Sequence, residues 1–315
     1  MPAAMLAMAR MNIPGVFVYG GTIKPGKLGG CDLTVVSAFE AVGQLSSGKI
    51  DEAQLTAVEK NACPGAGSCG GMFTANTMSA AIETMGLSLP FSSTMAAEDP
   101  EKAESAARSA EVLVEAIAAN IRPLDLLTRE AFENAIVANS AFGGSTNAPI
   151  HLIAIARHIG VELSNDDWQN FGHKIPLLVN MQPAGKYLGE DFHRAGGVPA
   201  VIAELLRENL LPHPHAICVT GKTIIEENAQ AENYNPKVIK TVAEPLKAAA
   251  GFINLSGNLF DSAIMKTSVI SDEFQRRYLS NPTDLNAFEG RAIVFEGPED
   301  YHDRLDDPAL NIDES

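Results

Sequence analysis

The stretch Asn61 to Met78, NACPGAGSCGGMFTANTM, sets Cys63 and Cys69 in a loop that also carries Gly65, Gly67, Gly70 and Gly71. Pro64 restricts the first turn, and the glycines let backbone come close to a bulky group. A helix is expected over Met72 to Met85, which places Cys69 just ahead of its positive end, where a thiolate is favoured over a thiol. A thiolate suits iron or zinc, and it suits a nucleophilic or redox role as well. Two cysteines do not complete a four-ligand iron–sulfur cluster, and the spacing is not Cys-x-x-Cys. The loop alone therefore leaves metal ligation, thiol chemistry and a plain tight turn all open.

A second polar constellation, Gly143-Gly144-Ser145-Thr146-Asn147-Ala148-Pro149-Ile150-His151, leads into a helix expected over Ala148 to Ile159. Free amides at such a place suit a substrate carboxylate, and Ser145, Thr146 and Asn147 could bind hydroxyls; equally, Ser145 or Thr146 could simply cap the helix. His151 shares a face with Ile155 and His158 and reads as an interior residue. Lys24, in the glycine-rich run Gly20 to Gly26, could cradle an anion, although the run lacks a Walker ending. Gly221-Lys222-Thr223 has that ending, but Ala216 stands where its leading glycine is needed. His213-Pro214-His215 reads as a surface loop, with no carboxylate beside it in sequence. Glu98 and Asp99 are candidate caps for a helix starting near Pro100. Cys218, in an apolar run, reads as a small core residue, and Cys31 follows Gly29-Gly30 in a turn without an evident partner.

The elements that must position these groups begin with a short apolar helix, Ala3 to Met11, and a buried strand, Gly15 to Tyr19. A glycine-rich loop and a helix over Leu33 to Leu45 follow. Strand, loop and helix in that order give a layered α/β domain with ligands at strand ends. Further helices are expected over Glu101 to Asn120, Glu130 to Ala141, Asp166 to Phe171 and Val198 to Glu208. Near Thr241 the pattern turns to short β-rich runs: Gly251 to Leu255, Ala263 to Ile270 and Ala292 to Phe295. The expectation is an α/β domain over residues 1–240, followed by the start of a β-rich domain over 241–315. An apolar helix opening at Pro2 without a cap, and so few strands in the second region, point to a truncated chain.

A net charge of −16, from 39 acidic against 23 basic residues, argues against nucleic acid and anionic membrane surfaces as partners. Much of this acidity lies between Glu296 and Glu314, which reads as a solvated segment. No apolar run is long enough to span a membrane, and the first residues lack the pattern of a secretory signal. The chain reads as soluble and intracellular. Four cysteines are too few for a disulfide scaffold at 315 residues.

Taken together, Met1 to Met5, Gly20 to Gly26, Asn61 to Met78, Gly143 to Ala148, Gly185 to Tyr187, His193 to Ala200, Val219 to Thr223 and Ser256 to Leu259 resemble the dihydroxy-acid and sugar-acid dehydratases, the family that includes 6-phosphogluconate dehydratase. The stretches are collinear over nearly the whole chain. The cysteine loop and Gly-Gly-Thr-Ile-Lys-Pro-Gly look most like the branched-chain members, which convert 2,3-dihydroxy-3-methyl acids to 2-oxo acids; a sugar-acid dehydratase or a non-catalytic fragment is the alternative.

The resemblance implies a [2Fe–2S] cluster and Mg²⁺ in the intact family enzyme, a small dihydroxy acid as substrate, and a homodimer. It matches Cys69 to the last of three cluster cysteines and Cys63 to a loop cysteine not counted as a ligand; Ser145, Thr146 and Asn147 are expected to bind substrate on the chemistry of their turn. In the family, a Lewis acid acts on the departing C3 hydroxyl while a base removes the C2 proton. Met1 aligns just after a Cys-Asp-Lys stretch that supplies a cluster cysteine, a Mg²⁺ carboxylate and a lysine that can be carbamylated. The last residues precede the family's later metal-binding glutamate and its serine base. No catalytic base is therefore assigned here, and the isolated chain is expected to turn over little or not at all.

Overall fold

The computed structural model describes residues 1–279 and 291–312. Asp313 and Glu314, at the end of the acidic segment, lie outside them. Two compact units are present, Met1–Val269 and Ile270–Ser315.

Two helices organise the first unit. Both α4 (Thr74–Thr84) and α7 (Arg129–Phe142) are covered on every side: residues 76–84 of α4 and 131–142 of α7 are all buried. Their sequences explain why they can be. Ala80, Ala81, Ala131, Ala135, Ala138 and Ala141 present little bulk, so the helices approach closely, and a helix lined all round by small and apolar side chains belongs inside. On one side, Met78, Ile82, Phe132 and Ile136 join Met5 and Ala9 of α1 (Pro2–Met11), Leu152 and Ile155 of α8 (Asn147–His158), and Trp168. On the other, Ala80, Val137 and Phe142 join Val198, Val201 and Leu205 of α11 (Gly197–Arg207) and the stretch Leu178 to Met181. Burial of one such aromatic is worth several kcal/mol; Phe132→Ala is of the ~3–5 kcal/mol class.

The helices expected from periodicity are present: α1, α2 (Val35–Ser46), α4, α5 (Glu101–Ala119), α7, α8 and α11. The Asp166 to Phe171 segment is three α-helical residues, α9 (Asn165–Asp167), running into a π-turn at Trp168–Gly172. An additional helix, α3 (Glu52–Ala62), is announced by a capping box in which Asp51 accepts from the Gln54 amide at 2.8 Å and Gln54 returns the bond.

The strands depart further from expectation. Among the described residues the ladders are two antiparallel pairs, β1 (Gly26–Leu28) with β2 (Cys31–Leu33) and β3 (Phe252–Leu255) with β4 (Ala263–Lys266). Gly15 to Tyr19 is extended and alternates as anticipated, with Phe17 and Tyr19 buried and Val18 exposed, but it is not a strand. Its neighbours are turns. Phe17 bonds to Leu87, and Thr22 forms single parallel bridges to Ser68 and Ala96, so no neighbour runs alongside long enough for a ladder. Ala292 to Phe295 likewise forms no strand. Phe252 meets the Trp168 ring edge-on at 5.0 Å, which fixes the β3–β4 hairpin to the main core. The composition is thus mixed α and β, with helices predominating.

Candidate functional site

Cys69 lies partly exposed at the end of a loop whose course is set by the extended segment beside it. The Ser68 amide donates to the Gly21 carbonyl at 3.0 Å, and the Ile23 amide returns a bond to Ser68 at 2.7 Å. Gly67, at φ +128°, makes this approach possible: a Cβ there would stand 2.5 Å from the Ile23 nitrogen. Asn76, in the first turn of α4, then gathers the loop. Its amide nitrogen donates to the carbonyls of Cys69 (2.7 Å) and Gly71 (2.8 Å), while its oxygen accepts from the Tyr19 hydroxyl at 2.8 Å. The Thr22 hydroxyl donates to the Cys69 carbonyl at 2.8 Å, and Tyr19 also bonds Ser68. Burial pushes the Tyr19 phenol up to about 12, with the Cys69 sulfur adding to the rise and the Ser68 bond opposing it.

The backbone around Cys69 is therefore held by the side chains of Thr22 and Asn76, and the residue is partly exposed. Helix α4 begins at Thr74, later than the sequence indicates, so four residues separate Cys69 from it. The dipole effect fades within the first turn of a helix, and Cys69 lies beyond that reach of α4. Cys63 is the exposed C-cap of α3, and Cys31 is exposed on the β1–β2 hairpin. Cys218 is buried, its thiol pushed up to about 12 by desolvation, as a core residue should be.

The Gly143 to Asn147 turn joins α7 to α8. Gly143 caps α7 in the left-handed region, at φ 66°. Most amides at the start of α8 already have partners: Ser145 donates to the Thr77 hydroxyl (3.0 Å), Asn147 to the Ser145 hydroxyl (3.2 Å) and Ala148 to the Ser145 carbonyl (3.0 Å), while Pro149 has no N–H. The capping role of Ser145 is thus present, and the array of free amides is not. Thr146 and Asn147 are exposed and line a cavity of about 380 Å³ with Ile150, Asn165, Ser262 and Ile264.

Lys24 is engaged by Asp99 at 2.6 Å, which removes it as a free anion cradle. Asp99 and Glu98 do not cap α5: Glu98 accepts from the Ala66 amide of the cysteine loop at 3.1 Å. Thr223 caps the short α12 (Ile224–Asn228), so Gly221 to Thr223 is a helix start. His213 does meet a carboxylate, Glu133 of α7, at 2.5 Å, and the Asn134 side chain clamps the His213 backbone with two bonds of 2.8 and 3.0 Å. Sequence separation hid both contacts. His151 is lowered by burial and by the N-terminal ammonium.

Two model families match the chain: the dihydroxy-acid/6-phosphogluconate dehydratase N-terminal model over residues 1–227 and the corresponding C-terminal model over 237–314. The chain is 70% identical over 272 residues to the dihydroxy-acid dehydratase of Synechococcus sp. (strain RCC307), covering 85% of this chain and 49% of that protein. It is 61% identical over 304 residues to the dihydroxy-acid dehydratase of Synechococcus sp. (strain CC9605), covering 95% and 52%. With that of Prochlorococcus marinus (strain NATL2A) it is 61% identical over 314 residues, covering 95% and 56%. The chain belongs to the dihydroxy-acid/6-phosphogluconate dehydratase family. It spans about half the length of the curated relatives it matches.

Whether this chain's residues fit the family's inorganic groups can be asked directly. Among the described residues, no three His, Cys, Asp or Glu side chains converge where they could hold a metal ion. Cys69 is one thiolate where a [2Fe–2S] cluster takes several protein ligands. The residues present do not fit the cluster or Mg²⁺ on their own. No described helix is long and apolar enough to cross a membrane.

Proposed function

We propose that this chain carries the Cys69 loop and part of the substrate site of a hydro-lyase that dehydrates 2,3-dihydroxy-3-methyl acids to 2-oxo acids, in branched-chain amino-acid biosynthesis. The observation that carries the reading is the Cys69 loop, fixed by Tyr19, Thr22 and Asn76 with Cys69 partly exposed, in a chain 70% identical over 272 residues to a protein named dihydroxy-acid dehydratase. Rigid backbone support is what a ligating thiolate needs. A cluster on Cys69 requires ligands that the described residues do not supply. Thr146 and Asn147, on the cavity wall, are placed to bind substrate hydroxyls, and Ser145 holds their turn. The working form is a cytoplasmic homodimer, with region 1–240 bearing the cysteine loop and 241–315 opening the second domain.

The test is a chimaera in which this chain replaces the matching segment of a full-length Synechococcus relative. It is expected to dehydrate 2,3-dihydroxyisovalerate, and Cys69→Ser in it to lose both turnover and the iron–sulfur absorbance. The 315-residue chain alone, treated with iron and sulfide, is expected to give no sustained 2-oxo acid. A chimaera active on gluconate or arabinonate but not on the branched acid overturns the substrate assignment, and one that keeps its cluster without Cys69 overturns the ligand.

A further inference from the structure

Lys266, at the end of β4, is a partly buried cation whose Nζ donates to the Gly143 carbonyl at 2.7 Å. No described carboxylate lies within ion-pair distance of it, and desolvation alone brings its pKa down to about 8. An ammonium has three N–H donors, and burying it without a counter-charge is costly. Successive side chains of a strand alternate, so Lys266 shares a face of β4 with Ile264, which lines the cavity beside Thr146 and Asn147.

Two further polar side chains crowd the same turn without partners. Asn139 has both its amide nitrogen and its oxygen buried and unbonded, and the Ser268 hydroxyl is in the same condition. Both residues are at most 2% exposed. The Asn139 oxygen stands 2.9 Å from where a Cβ on Gly144 would be, and the Ser268 hydroxyl 3.7 Å from the same point on Gly143. Buried polar groups are nearly always bonded, and those that are not mark a place for something else. Here a lone ammonium, an amide and a hydroxyl surround one turn, in a chain whose net charge is −16. That set is complementary to a carboxylate, which accepts from all three and supplies the missing charge.

We propose that Lys266, with Asn139 and Ser268 around the Gly143–Gly144 turn, forms the carboxylate-binding end of the site whose hydroxyl end is Thr146 and Asn147. The assignment rests on the hydroxy-acid reading above and adds to it which residues take the acid group. Lys266 acts here as a binding residue; no proton transfer is assigned to it.

Calorimetric titration of the 315-residue chain with 2,3-dihydroxyisovalerate, its carboxamide and gluconate tests the proposal. The wild type is expected to prefer the carboxylate over the carboxamide. Lys266→Met should weaken carboxylate binding by about tenfold or more while leaving the carboxamide unchanged, and Lys266→Arg should recover much of the loss. Melting curves report whether each variant folds, and the Gly143 and Ser145 amide resonances should shift with ligand in the wild type and not in Lys266→Met. Equal carboxylate binding by wild type and folded Lys266→Met overturns the subsite, as does a wild type indifferent to the charge of the ligand. A Lys266-dependent preference for gluconate over the branched acid keeps the subsite and overturns only the proposed substrate.

Discussion

Glu83 shows how a single residue can hold a loop at the expense of its own charge. It lies in the last turns of α4, fully enclosed, and accepts from the Phe91 amide (2.9 Å), the Ser93 amide (2.9 Å) and the Ser93 hydroxyl. Burial raises its pKa from 4.5 to about 7, outweighing those three bonds and the pull of Lys102. Phe91 needs the help, because its φ of 71° is uncommon for a bulky side chain. Since the folded pKa lies above the unfolded one, Glu83 contributes stability that is fully present below pH 4.5 and is lost as pH rises to about 7. The size is on the order of 3 kcal/mol. The expected outcome is that the stability difference between wild type and Glu83→Gln, from urea melts at pH 4.5, 6 and 8, shrinks through that window and levels off above it. A difference independent of pH would mean that Glu83 is ionised in the folded protein throughout.

At the scale of elements, the site depends on segments that are not themselves regular. The Tyr19 to Ile23 stretch and the cysteine loop meet through two backbone bonds at Ser68, and Gly67 is where they come closest. Gly67→Ala is expected to cost about 2 kcal/mol or more, through its left-handed backbone and a Cβ pressed on Thr22 and Ile23. Hydrogen exchange at the Ile23 amide should rise well above the global opening rate; unchanged protection there would show that the two segments are held by other means. Most of the longer helices are readable from sequence because their signals are local, such as the apolar spacing of α5 and α11 and the Gly, Pro and Asn punctuation between them, whereas α3 is not among those expected although its capping box is just as local. Gly15 to Tyr19 misled because alternation records burial of Phe17 and Tyr19, not whether a neighbouring strand exists. Cys69 and the Ser145 to Asn147 turn stood out by composition, whereas Tyr19, Thr22, Asn76 and Lys266 drew no notice. Tyr19, Thr22 and Lys266 act across about fifty residues or more, and Asn76 bonds both its near neighbours Cys69 and Gly71 and the distant Tyr19 and Thr22, so no local pattern marks them.

For the whole molecule, the question is where stability resides. Among the described residues, every buried one lies at or before Ser268. The β3–β4 ladder ends at Lys266, and Thr267 donates to the Gly251 carbonyl from its hydroxyl at 2.8 Å and its amide at 3.1 Å. Denaturant slopes and heat-unfolding enthalpies scale with surface removed from water, so described residues that are not buried add little to either. A chain ending at Val269 is therefore expected to unfold with an unchanged urea slope and a melting temperature within about 2 °C of the full chain, since 1 kcal/mol moves a domain of this size by roughly 2–4 °C. It should also keep the Lys266-dependent binding of carboxylates. A fall of more than about 4 °C, or loss of that binding with the fold intact, would assign residues 270–315 a share in the core or the site that their exposure does not predict.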